Sequence, residues 1–69
     1  ILAKVEFERL VQTYPTAEAY IRLGSTCYKL GEKKEAIKYW KHALKLDSDN
    51  RKLRDMIKLV QQVDTGGGL

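Results

Sequence analysis

Tyr20-Ile21-Arg22-Leu23-Gly24, followed twelve residues later by Ala36 and then by Trp40 and Ala43, is the part of the chain from which its fold can be read. A glycine inside an otherwise helical pattern costs about 1 kcal/mol relative to alanine, so Gly24 asks for a packing reason. Close contact between helices supplies one. If Gly24 faces Ala36 on a second, antiparallel helix, the two backbones approach closely, and Tyr20 and Trp40 fill the wider space on either side.

Before this stretch, residues Ile1 to Thr13 read as a helix with Ala3, Phe7, Leu10 and Val11 on one side and Lys4, Glu8 and Gln12 on the other. Tyr14-Pro15 ends it, because the residue before a proline is pushed out of the helical region, and Thr16 is a good N-cap for the next helix. The second helix is expected from Ala17 to about Leu30, with Gly31 as its left-handed stop. A third follows from about Lys33 to Leu46, carrying Ala36, Ile37, Trp40, Ala43 and Leu44 on its inner face. Asp47-Ser48-Asp49-Asn50 is rich in turn and cap chemistry, so a fourth helix is expected to begin at Asn50 or Arg51. Its apolar stripe is Leu53, Met56, Ile57 and Val60, and it is expected to fade after Val63. No segment shows the alternating pattern of a strand. Four helices on short links lie antiparallel to their sequence neighbours, so the expected fold is all-α, built of helical hairpins.

The chain's 69 residues hold one small domain, expected over residues 1–63, with residues 64–69 as a flexible glycine-rich tail. Starting on Ile1 and ending on Gly66-Gly67-Gly68-Leu69, it reads as a piece of a longer protein. Its 43% hydrophobic and 32% charged residues, with one proline, fit a folded helical domain rather than a disordered segment. No apolar run approaches the roughly 20 residues of a membrane span. A single cysteine, Cys27, excludes an internal disulfide, reads as a buried structural thiol and gives no reason to infer an oxidising compartment; the localisation is left open, with the cytoplasm favoured.

In type and spacing these residues resemble a tetratricopeptide repeat. Residues 17–50 span the family's period of about 34 residues. They carry Tyr20-x2-Leu23-Gly24-x2-Cys27, then Ala36-x3-Trp40, then Ala43, with Gly31 and the Leu46-Asp47 turn at the family's spacing. Cys27 stands where the family has an aromatic, Trp40 where it has a smaller one, and Ser48 where it has proline. Residues 1–14 look like the second helix of a preceding unit, and residues 51–63 like the opening helix of a following unit or a C-terminal cap, the missing Leu-Gly pair favouring the cap.

The resemblance implies a non-catalytic scaffold that binds a peptide or protein segment on a concave surface lined by the first helix of each repeat. The outward residues of the second helix are then the expected peptide-binding set: Glu18, Ile21, Arg22, Ser25, Tyr28 and Lys29. Arg22 and Lys29 are suited to a carboxylate, Arg22 bidentately, and Tyr28 to an aromatic wall. Glu18 and Ser25 depart from the basic and amide residues with which chaperone-binding members hold a C-terminal carboxylate. The alternative is a basic module for nucleic acid or an anionic membrane surface. It rests on the net charge of +4 and on the stripe Lys34, Lys38, Lys41 and Lys45, reinforced by Arg51, Lys52, Arg54 and Lys58. The stripe lacks interleaved exposed aromatics, and acidic residues are scattered among the cations, so a solvated outer face is the simpler reading.

No phosphate-binding loop, paired-carboxylate constellation or nucleophile with a base is visible, so no catalytic residue, cofactor or metal is expected. His42, the only histidine, is expected to be exposed and idle. Without the first helix of the preceding unit, Phe7 and Val11 would expose apolar surface, which leads to an expectation of self-association through the N-terminal helix or of further repeats before it.

Overall fold

The computed structural model describes residues 2–67, with side chains through residue 62. These residues form four helices and no strand: α1 (Leu2–Thr13), α2 (Ala17–Lys29), α3 (Lys33–Leu46) and α4 (Arg51–Gly67). The boundaries are set locally. Tyr14 N–H reaches back to the Leu10 carbonyl at 2.7 Å to close the last turn of α1 before Pro15. Thr16 is extended (φ −91°, ψ 159°), and its hydroxyl oxygen accepts the Ala19 amide at 3.2 Å. Gly31 ends α2 at φ +84°, with its own N–H on the Tyr28 carbonyl and the Glu32 N–H on the Cys27 carbonyl. This pair of bonds is the left-handed glycine stop in its full form. At the last turn, the Asn50 side-chain oxygen accepts the Leu53 amide at 3.0 Å and starts α4. Where the repeat family has proline, the Ser48 carbonyl accepts a bond from the Arg54 guanidinium at 3.0 Å, so a side chain holds this turn.

One boundary departs from expectation. α4 continues through residues 64–67 rather than fading after Val63, because an established helix gains a hydrogen bond for each residue it adds. Of the expected tail, Gly68 and Leu69 lie outside the described residues.

α2 and α3 form the most extensive pairing, with α1 packed on α2 and α4 on α3. Their shared core is Val11, Ala19, Leu23, Cys27, Ala36, Trp40, Ala43, Leu53, Ile57 and Val60. No described helix is long and apolar enough to cross a membrane.

The reason for Gly24 differs in part from the expected contact with Ala36. A Cβ there would lie 2.5 Å from Trp40 Cδ1 and 2.6 Å from its Nε1, and 3.1 Å from the Ala36 carbonyl oxygen. The indole itself lies over the glycine and donates its N–H to the Ile21 carbonyl at 3.3 Å, so the large ring needs the missing side chain. Tyr20 does not flank this contact as an equal partner. It is half-buried, with its ring 4.2 Å from the His42 ring and 6.3 Å from the Tyr39 ring. His42 is exposed as expected, yet it is packed against an aromatic face rather than idle.

Candidate functional site

Helices joined by short links alternate in direction, so α2 and α4 run the same way on either side of α3. Between them lies a groove. Its larger part is a cavity of about 370 Å³ lined by Ser25, Tyr28 and Lys29 from α2, Trp40 from α3, and Met56, Leu59 and Val60 from α4. A smaller cavity of about 160 Å³, lined by Ile21, Asn50, Lys52, Leu53 and Met56, adjoins it, with Met56 bordering both. The joint lining is predominantly apolar. At 370 Å³ the larger part falls within the roughly 300–1,000 Å³ typical of ligand pockets.

The aromatic wall is built in layers. Trp40 forms the floor, fixed by its bond to the Ile21 carbonyl. Tyr28 leans over it with ring centroids 5.8 Å apart and planes tilted by 39°, and its face is open to solvent. On the opposite wall Leu59 is 61% exposed.

The six residues expected to bind peptide are divided between two surfaces. Ile21, Ser25, Tyr28 and Lys29 line the α2–α4 groove. Glu18 and Arg22 instead border a cavity of about 300 Å³ between α1 and α2, together with Phe7, Leu10, Tyr14, Thr16 and Ala19. There the Arg22 guanidinium is 2.9 Å from the Glu18 carboxylate, one helical turn away. Arg22 and Lys29 therefore do not converge on one carboxylate. Ile21 also differs from the expected outward position. It is half-buried against the core, and its backbone carbonyl serves the indole.

Sequence reasoning places Trp40, Met56 and Val60 in the core and passes over Leu59 and Lys52 as groove residues. The available signal is register. Ala19 and Leu23 are buried in α2, and their counterparts 34 residues on, Leu53 and Ile57, are buried in α4. On that register Leu59 corresponds to Ser25, and both line the larger cavity.

A second cluster joins three helices away from the groove. Lys4 of α1 reaches the start of α3, where its Nζ is 2.5 Å from Glu32 Oε1 and 3.4 Å from Glu35 Oε2. The Glu32 carboxyl is held below its ordinary range mainly by the bond from Lys4, and the Lys4 ammonium is pushed above its ordinary range mainly by the bond to Glu32. Glu32 occupies the N-cap position of α3 but makes no side-chain cap bond, because its carboxylate is turned to Lys4. Donor atoms of Cys27, Glu32 and Glu35 lie within 4.8 Å of one another, a spacing compatible with a cation, and the chain's own Lys4 already pairs with both carboxylates. Cys27 is fully buried as expected, and that burial pushes its thiol above the ordinary range.

The exposed lysines Lys34, Lys38, Lys41 and Lys45 form the expected row along α3. Comparison with known proteins bears on the repeat itself. Residues 17–50 match the family model described as Tetratricopeptide repeat. No curated protein and no solved structure matches the chain significantly.

Proposed function

Starting from residues 17–50 as a complete tetratricopeptide repeat, we propose that the chain is a non-catalytic scaffold that takes a segment of a partner protein into the groove between α2 and α4. Repeats of this family generally mediate protein–protein interaction, and the family is typically non-enzymatic. The observation that carries the reading to this surface is the apolar trough floored by Trp40 and walled by the exposed Tyr28 and Leu59. Aromatic and aliphatic side chains left open beside a fixed floor are what anchor residues of a partner fill. Of the residues first expected to bind, Ile21, Ser25, Tyr28 and Lys29 belong to this proposal, whereas Glu18 and Arg22 belong to the α1–α2 surface.

The test is a peptide array probed with the intact chain and with Leu59→Glu, their helicity first matched by circular dichroism. Binding that Leu59→Glu removes supports the groove. Binding that survives the substitution places the interaction elsewhere and ends the proposal. The alternative, a nucleic-acid or anionic-surface module, draws on the exposed row from Lys34 to Lys45 and the exposed Arg51, Lys52, Arg54 and Lys58. It requires binding to a single-stranded oligonucleotide that falls steeply as salt is raised.

A further inference from the structure

The geometry points to a binding site, separate from the groove, for a thiophilic divalent cation of the zinc class, held by Cys27 of α2 and by Glu32 and Glu35 at the start of α3. Their donor atoms, one sulfur and two carboxylate oxygens, lie within 4.8 Å of one another. The backbone fixes the two sides of the site together. The Glu32 N–H bonds to the Cys27 carbonyl at 2.9 Å around Gly31, whose φ of +84° makes the turn, and Glu32 and Glu35 are three residues apart on one face of the helix start. Zinc sets sulfur at about 2.3 Å and oxygen at about 2.0–2.2 Å, so tetrahedral donors stand about 3.4–3.6 Å apart and the closure required is at most about 1.5 Å. The half-exposed carboxylates supply it by turning about their own side-chain bonds.

Two further features call for a cation here. Cys27 has no surface open to solvent, and its sulfur takes part in no disulfide or hydrogen bond among the described residues, yet it is aimed at the two carboxylates. A cationic group is already drawn to the same place: Lys4 Nζ is 2.5 Å from Glu32 and 3.4 Å from Glu35. An ammonium satisfies carboxylates but bonds a thiol only weakly, whereas a thiophilic metal satisfies all three donors. Glu8 adds its charge to those of Glu32 and Glu35 at the thiol, against the single ammonium of Lys4, so the site is short of positive charge. The linear chain gives no sign of it, since Cys27 reads as core and the glutamates as solvated surface; only the fold brings their donors together. Cys27 also stands where the repeat family has an aromatic, so the soft donor is a departure from the family pattern.

On binding, the thiol releases its proton to solvent, a sulfur–metal bond forms, the metal gives up water ligands and Lys4 leaves the carboxylates; no electron moves. A retained water completes the fourth position. The metal then staples α2 to α3 across the Gly31 turn, in place of the Lys4 link between α1 and α3.

The test adds Co2+ and then Zn2+ to the full, freshly reduced chain and reads thiolate-to-cobalt charge-transfer absorption together with circular dichroism melts. A band saturating at one Co2+ per chain is expected, removed by stoichiometric Zn2+ and indifferent to excess Mg2+. Zn2+ should raise the melting temperature, as a ligand of the folded chain does. Glu32→Gln plus Glu35→Gln, on half-exposed side chains, should keep the parent's helicity and weaken Co2+ binding at least about ten-fold. Lys4→Met removes the competing ammonium and should tighten it. No band, a band that the double Gln variant leaves unchanged, or Lys4→Met binding no more tightly than the parent overturns the inference. So does Co2+ binding without a sulfur band, which puts the ion elsewhere, as at His42, and so does a melting temperature lowered by Zn2+, which means that the thiol is captured from the unfolded chain.

Discussion

A methyl group at Gly24 would meet Trp40 Cδ1 at 2.5 Å, whereas one at Gly31 would meet nothing within 4 Å. The two glycines are therefore required on different grounds. At Gly24, alanine gains about 1 kcal/mol of helix propensity, but overpacking against a fixed ring costs about 1–3 kcal/mol. Gly24→Ala is expected to lose about 1 kcal/mol net in urea unfolding. The loss should shrink in a Trp40→Phe background, where the smaller ring withdraws from the glycine. A double-mutant cycle with no coupling between these positions would show that the indole is not what excludes the side chain. Gly31 at φ +84° carries only a backbone requirement. Gly31→Ala is expected to cost about 1–2 kcal/mol irrespective of the residue at 40, and unfolding in both backgrounds checks this.

Among the helices, α1 depends most on a charge contact. Its Lys4 spans 28 residues of sequence to Glu32, tying the N-terminal helix to the start of α3. Glu32, whose ordinary value is 4.5, is depressed in the fold, so its contribution is complete above that value and is lost as pH falls through the lower folded value. Lys4 is raised above its ordinary 10.5, so its contribution is complete below that value and is lost as pH rises beyond it. The contact is thus intact through the neutral range and weakens first on acidification. Thermal melts followed by circular dichroism at neutral and acid pH should show Lys4→Met less stable than the parent at neutral pH, with the gap closing in acid. Curves separated equally at both pH values would show that this pair does not hold α1. The C-terminal helix has the opposite character. On the repeat register Arg54, Lys58 and Gln61 stand where α2 has Tyr20, Gly24 and Cys27, so α4 offers a polar face where a further helix would have to pack. That supports its reading as a cap.

For the whole molecule, the two ends are unequal. Ala3, Phe7 and Leu10 lie 33 residues before Ala36, Trp40 and Ala43, which are buried, yet Ala3 and Leu10 are exposed and Phe7 only half-buried. Together with Leu2, 80% exposed, they give α1 an apolar outer face. Sedimentation velocity across a concentration series is expected to show reversible self-association, weakened by Leu10→Lys. A single monomeric species throughout would exclude it. The same contrast separates what is legible in the linear chain from what is not. Thr16, Gly31, the Asp47–Asn50 turn and the apolar spacings act over one or two helical turns. Four helices, their bounds to within a residue or so except at the end of α4, and the repeat therefore follow from the sequence alone. So does the placing of Ile21, Ser25, Tyr28 and Lys29 together on one helix. It took the tertiary structure to show that these four share a groove with Met56 and Leu59, that the local Glu18–Arg22 pair lies on another surface, against α1, and that Lys4 finds Glu32. Caps and periodicity are settled by neighbours along the chain, while the groove and the Lys4–Glu32 contact are made by side chains of separate helices, which meet only once those helices have packed.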